Sequence, residues 1–195
     1  MTAYAKSEVP RMRCWQLLHS DLERQYQLEG VAARRVTLLG ILQRSLHPRF
    51  LPLLLCRLSR GAFEARVPIL PFLFSYLNVI CFGLQITPRC EIGPGLLLPH
   101  PVGTVIGAWR IGRNATIFQG ATLGAKSVDM AFDQRLLPVL GDNVTVGAGA
   151  KVLGGITVGD DVVIGANAVV VHSVESRCTV AGIPAKVLTR SRSGK

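Results

Sequence analysis

Between Leu140 and Val171 the chain repeats every six residues. The hexads LGDNVT, VGAGAK, VLGGIT, VGDDVV and IGANAV begin at Leu140, Val146, Val152, Val158 and Ile164, and Val170 opens a sixth. An aliphatic residue leads each hexad, and Val144, Ala150, Ile156, Val162 and Ala168 take the fifth places. A fixed period of this kind is the signature of a solenoid. Six matches neither the 3.6-residue turn of a helix nor a heptad, and the glycines from Gly141 to Gly159 would each cost a helix about 1 kcal/mol. The spacing therefore predicts a prism of short parallel strands. Each hexad forms one flat side with its leader pointing inward, and three sides close a coil that buries its leaders by stacking on its neighbours.

Charge is distributed around this prism rather than on it. Residues 1–66 carry 11 basic and 5 acidic side chains, residues 67–170 carry 6 and 6, and residues 171–195 carry 5 and 1, for a net charge of +10. A nucleic-acid surface needs a basic stripe with stacking aromatics. The neutral repeats lack one, so no nucleic-acid partner is expected. Basic ends suit the phosphates of a cofactor or an anionic membrane face. The five cysteines are odd in number and contain no CxxC pair, and no secretory signal opens the chain. They read as reduced thiols of a cytoplasmic protein, with the inner face of the membrane as the alternative site. Cys90 falls on a fifth place and is expected in the core. The four histidines show no metal-ligand spacing, so no metal is expected.

Upstream, apolar residues at three and four spacing predict helices from Met12 to Gln43, broken at Gly30, and a further helical run after His47-Pro48. No charged residue lies between Arg66 and Arg89. By length this stretch approaches the ~20 apolar residues of a membrane span. Pro68, Pro71, Ser75, Asn78 and Gln85 argue against spanning, and the stretch reads as a buried helix capping the open end of the prism, with peripheral membrane attachment as the alternative.

The first repeats lead with Ile86, Ile92 and Leu98. A one-residue excess in LPHPVGT then shifts the phase, so that Val105, Ile111, Ile117 and Leu123 are the next leaders. The excess falls at His100. The pattern lapses again from Ala125 to Pro138, and such an excursion leaves a solenoid as a loop, often at a binding site. Three parts are thus expected: an α-helical region over residues 1–84, a repeat region over 85–188 with a loop at 125–138, and a basic tail at 189–195.

The segments HPRFLPLLLCRL, GLQITPRCEIGPGLLLPHPVGTVIG, FQGATLG, VGAGAKVLGGITVG and GIPAKVL, in this order, resemble the hexapeptide-repeat acyltransferases and, among them, the serine O-acetyltransferase branch. The resemblance implies a left-handed parallel β-helix behind N-terminal helices, assembled as a homotrimer or a dimer of trimers with sites between neighbouring prisms. It also implies acetyl transfer from acetyl-CoA to a hydroxyl, without a metal. His100 matches the family's catalytic histidine as general base. Gly124, Ala125, Ala148, Gly149, Lys151 and Ala166 match the cofactor groove, and Lys186, with Arg190 beside it, is the candidate for the nucleotide phosphates.

Two positions depart from the serine pattern. Pro99 stands where an Asp would orient the imidazole, and Leu136-Leu137-Pro138 stands where an Arg-His-Pro would hold the serine carboxylate, leaving Arg135 displaced by one position. These departures lead to the expectation of a glycan acceptor, a hydroxyl of a sugar or polysaccharide precursor, in a polysaccharide-pathway relative. Serine O-acetylation is the alternative, and a non-catalytic trimeric β-helix binding protein the second alternative.

Overall fold

The computed structural model describes residues 12–30, 36–128 and 131–190. Four helices come first: α1 (Cys14–Leu28), α2 (Leu38–Arg44), α3 (Leu51–Glu64) and α4 (Leu70–Phe82). Strands of two to five residues follow, arranged in three sheets. Sheet A stacks β1 (Gln85–Ile86), β3 (Val105–Ile106), β6 (Thr122–Gly124), β9 (Lys151–Leu153) and β12 (Val169–Val170). Sheet B stacks β2 (Glu91–Ile92), β4 (Arg110–Ile111), β7 (Val139–Leu140) and β10 (Thr157–Val158). Sheet C stacks β5 (Thr116–Ile117), β8 (Thr145–Val146), β11 (Val163–Ile164) and β13 (Cys178–Ala181), and β14 (Lys186–Arg190) closes it antiparallel. Of the expected basic tail, residues 191–195 lie outside the described residues, and residues 189–190 complete β14.

The register follows from the hexads. Leu140 pairs with Val158, Val146 with Ile164 and Val152 with Val170, each eighteen residues apart, which is three sides of six. Leaders and fifth-place residues are buried throughout this stretch, as is Cys90, because they are the only side chains directed into the prism. Coil by coil, the prism is a parallel β-helix whose core is shared between neighbours.

One leader differs from the sequence reading. The buried residue after the His100 corner is Ile106 at 1% exposure, and Val105 lies half-buried on the outer face. The corner therefore holds two residues more than a regular hexad, and the next turn, through Gly107 to Trp109, is one short. Strand alternation forces this reassignment, since a one-residue slip turns every side chain over.

An open prism end leaves core side chains and backbone carbonyls unsatisfied, and α1 and α3 cover it. Their buried faces carry an ion pair: Arg57 Nε donates to Asp21 Oδ2 at 2.9 Å, both side chains being almost wholly buried. Arg57 also donates to the carbonyls of Ile92 and Gly93 at 2.6 Å, and Asp21 accepts from the Leu96 amide at 2.9 Å. Arg24 donates to the carbonyls of Gly95 and Ala115 and to Thr116 Oγ1. The charges are thus spent on backbone groups that stacking leaves free.

The expected buried helix over the uncharged stretch is corrected by α4. Only Pro71 and Asn78 of α4 are buried, while Phe72, Tyr76 and Ile80 are each 63% exposed. α4 packs beside α3 and against β1, with Ser75 Oγ donating to Ile86 O at 3.3 Å, and leaves its other face open. No described helix is long and apolar enough to cross a membrane.

Candidate active site

The two irregularities in the repeat occupy different edges of the prism. His100 lies in the turn from sheet C to sheet A after the first coil. It is exposed and set between Pro99 and Pro101, which restrict its backbone, and no described residue hydrogen-bonds its ring. The Asp missing from position 99 therefore has no substitute within the described part of the chain.

Below His100 the same edge is bare. Its turns place Gly103, Gly120, Gly149 and Asn167 in the left-handed region, at φ of 71°, 69°, 70° and 56°. They stack through Gly120 N to Val102 O (3.1 Å), Gly149 N to Gln119 O (2.8 Å) and Asn167 N to Ala148 O (2.8 Å). The edge between sheets B and C has the same backbone but different residues. There Asn114, Asn143 and Asp161 take φ of 54°, 58° and 57° and form a side-chain ladder, Asn114 to Asn143 at 3.1 Å and Asn143 to Asp161 at 2.9 Å. The backbone thus tolerates Asn or Asp at such corners. A Cβ on Gly103 or Gly120 would meet nothing closer than 3.7 Å or 3.6 Å, so space does not exclude it either. What the glycines achieve is a surface without side chains, open to close approach by a ligand.

Most of the residues matched to the cofactor groove fall on this edge. Ala148 and Gly149 form its third turn and Ala166 its fourth. Lys151 begins β9 and donates from Nζ to Gly120 O at 2.6 Å. Lys186 pairs with Ala181 at the far end of the edge, where Ala185 N donates to Val169 O at 2.8 Å. Successive coils are about 4.8 Å apart, so the four steps from the His100 turn to Lys186 span about 19 Å, room for an elongated ligand. Lys186 is exposed, whereas Arg190 is held by Glu175 at 3.2 Å. Gln119 is exposed on the second turn, one coil from the His100 turn.

Gly124 and Ala125 are not on this edge. They end β6 on the opposite side of sheet A, where the loop leaves for sheet B. Ile111 pairs with Leu140 twenty-nine residues on, eleven beyond the regular spacing, and the excess falls within the loop. It climbs back toward the first coils. Arg89 Nη1 donates to Ala131 O at 3.3 Å, the Arg89 guanidinium lies 6.0 Å from the Phe132 ring, and Phe132 packs 5.7 Å from Trp109. A short 3₁₀ turn (Gln134–Leu136) then brings in β7. Arg135 is bound to its neighbour Asp133, Nη2 to Oδ2 at 2.7 Å, and those hydrogen bonds hold the Asp133 carboxyl down to about 2. Leu137 is buried and Leu136 is exposed.

Sequence reasoning named Gly149 but passed over Gly103 and Gly120, which take the same place in earlier turns. The repeat period would have located them. No group of His, Cys, Asp or Glu able to hold a metal occurs among the described residues.

The family described as "Bacterial transferase hexapeptide (six repeats)" matches residues 138–172. The serine acetyltransferase of Helicobacter pylori J99 is 39% identical over 176 residues, covering 90% of this chain and 98% of that protein. That of Synechococcus elongatus is 41% identical over 146 residues, 74% of this chain and 59% of the longer relative. Among solved structures, Neisseria gonorrhoeae serine acetyltransferase in complex with serine superposes with a TM-score of 0.75 at 27% identity, over 91% of this chain and 69% of that one. A serine acetyltransferase in complex with CoA gives 0.75 at 26%, over 90% and 69%. These relatives favour the alternative, serine acetylation, over a polysaccharide-pathway relative, since those matched across nearly the whole chain are serine acetyltransferases. The chain belongs to the serine acetyltransferase family of hexapeptide-repeat transferases, acyltransferases that take their acetyl group from acetyl-CoA.

Proposed function

We propose that the protein is a serine O-acetyltransferase in which His100 is the general base and the bare edge between sheets C and A seats acetyl-CoA. The observation that carries this reading is that the edge beginning at His100 uses glycine at its first three corners, Gly103, Gly120 and Gly149, whereas three corners of the edge between sheets B and C take Asn or Asp at a similar φ. Likeness over 98% of a serine acetyltransferase supports serine as the acceptor.

In this mechanism the His100 imidazole takes the proton of the acceptor hydroxyl as that oxygen attacks the thioester carbonyl, and the imidazolium gives it to the departing thiolate, which leaves as the free thiol. Acetyl-CoA supplies the activated acyl group. Pro99 and Pro101 restrict the backbone that carries the imidazole. Gln119 offers a carboxamide donor one turn along the edge. Ala148, Gly149, Lys151 and Ala166 flank the arm of the donor, and Lys186 meets its phosphates.

Gly124, Ala125 and the loop lie across sheet A from His100. A threefold assembly of left-handed prisms would set the loop edge of one chain beside the His100 edge of the next, completing each site between two chains. Such an enzyme works in the cytoplasm on small molecules.

The test is release of free CoA from acetyl-CoA with L-serine as acceptor. Turnover with serine that vanishes in His100→Ala is the expected result. No turnover with serine, but turnover with a mono- or oligosaccharide, would replace this reading by a second one, O-acetylation of a sugar hydroxyl. That second reading is favoured by one observation: the loop exposes the apolar Leu136, and its Arg135 is already bound to Asp133.

A further inference from the structure

We propose that the outward face of α4 lies in the surface of an anionic lipid bilayer. The helix is inside out for a protein in water. Its polar residues point inward: Ser75 Oγ lies 3.0 Å from Ser59 Oγ and donates to Ile86 O at 3.3 Å, and Asn78 Nδ2 donates to Pro52 O at 3.1 Å. Its outward face is made of Ile69, Phe72, Leu73, Tyr76, Val79 and Ile80, all exposed. A soluble surface helix has the reverse pattern, and a contiguous apolar face on this scale marks a surface that is covered.

Charge selects the cover. No charged residue lies between Arg66 and Arg89. The face is flanked by Arg66 just before α4 and by Arg49 just before α3, close to the end of α4 because Asn78 bonds Pro52. Both are exposed, and neither has an ion-pair partner among the described residues. The nearby carboxylates of Glu64 and Glu91 are both engaged by Arg60. A second copy seated face to face on this surface would bring arginine against arginine, whereas anionic headgroups are attracted by both. At 13 residues α4 is about 20 Å long, short of the ~30 Å hydrocarbon core, so it lies in the plane of the membrane rather than across it. Gly103 N donates to Gly83 O, just beyond α4, at 3.1 Å, so the first turn of the glycine edge sits at the margin of the seated face.

The experiment is flotation of the full chain with vesicles of phosphatidylcholine alone and of phosphatidylcholine with phosphatidylglycerol, alongside sedimentation velocity without lipid. The expected result is binding to the anionic vesicles only, weakened by salt and lowered at least ~10-fold in Arg49→Gln/Arg66→Gln and in Phe72→Glu/Ile80→Glu. Both variants change exposed residues, and circular dichroism and the melting temperature report that they stay folded. If Phe72→Glu/Ile80→Glu misfolds, the arginine variant and the lipid and salt dependence of the unaltered protein still decide. Failure of the unaltered protein to float with anionic vesicles overturns the proposal. So does equal binding to both vesicles, or a loss of self-association in Phe72→Glu/Ile80→Glu with vesicle binding intact, which would identify a second copy as the occupant.

Discussion

At the scale of single residues, exposure separates chemistry from architecture. His100 is exposed and makes no side-chain hydrogen bond among the described residues, so His100→Ala should leave the melting temperature unchanged while lowering kcat by about 10²–10⁴-fold. Asp21 and Arg57 are the opposite case. Removing one partner strands a buried charge, and Asp21→Asn or Arg57→Met should each cost about 3–5 kcal/mol in urea unfolding; the apolar pair Asp21→Leu/Arg57→Met should recover little of it, because the Ile92 and Gly93 carbonyls and the Leu96 amide lose their partners. The cysteines sort in the same way. Burial pushes the Cys56 thiol up to about 11 and raises that of Cys90 further, while Cys81 is exposed. Brief iodoacetamide treatment of the native protein, read by mass spectrometry, should mark Cys81 and spare Cys56 and Cys90 until denaturant is added.

At the scale of elements, the contrast between two edges of one prism is the testable feature. Gly120→Val fills the bare edge, and its side chain meets a left-handed φ of 69°, so the KM for acetyl-CoA should rise well beyond tenfold. Asn143→Gly, at the equivalent corner on the Asn/Asp edge, should leave KM unchanged and lower stability by the loss of its ladder bonds. Equal effects of the two changes on KM would show that the glycines serve only the turn. In the loop, the Arg135 hydrogen bonds hold Asp133 at about 2, so its carboxylate stays charged at any pH above that value. In Arg135→Ala the Asp133 pKa should climb back toward the usual carboxylate range of about 3.9, as followed by NMR titration.

For the whole molecule, binding and folding are linked. A ligand that seats only on the stacked edge stabilises the native state, by about 2.7 kcal/mol at a hundred times its Kd, so saturating acetyl-CoA should raise the melting temperature. An unchanged melting temperature would instead favour a binding scaffold without the cofactor. The prism was legible in advance because its cause is local. A leader every six residues, a small fifth residue and a turn-forming pair suffice to bury one stripe, and each coil repeats that solution on the last. Cys90 in the core and Gly30 at the end of α1 follow from the same local logic. The true leader after the His100 corner was not legible, because Val105 and Ile106 are both β-branched aliphatics and only pairing with Leu123 decides which points inward. Nor was the position of α4. An uncharged helix can be buried or covered by something else, and it is the bonds of Ser75 to Ile86 O and of Asn78 to Pro52 O that turn the opposite face of α4 outward. The sequence by itself thus determined the repeat, its period and the histidine at its break, since these depend on neighbours along the chain. Tertiary structure alone decided that His100 and the loop stand on opposite edges of sheet A, because which edge a turn occupies depends on how many sides the chain has wound before reaching it.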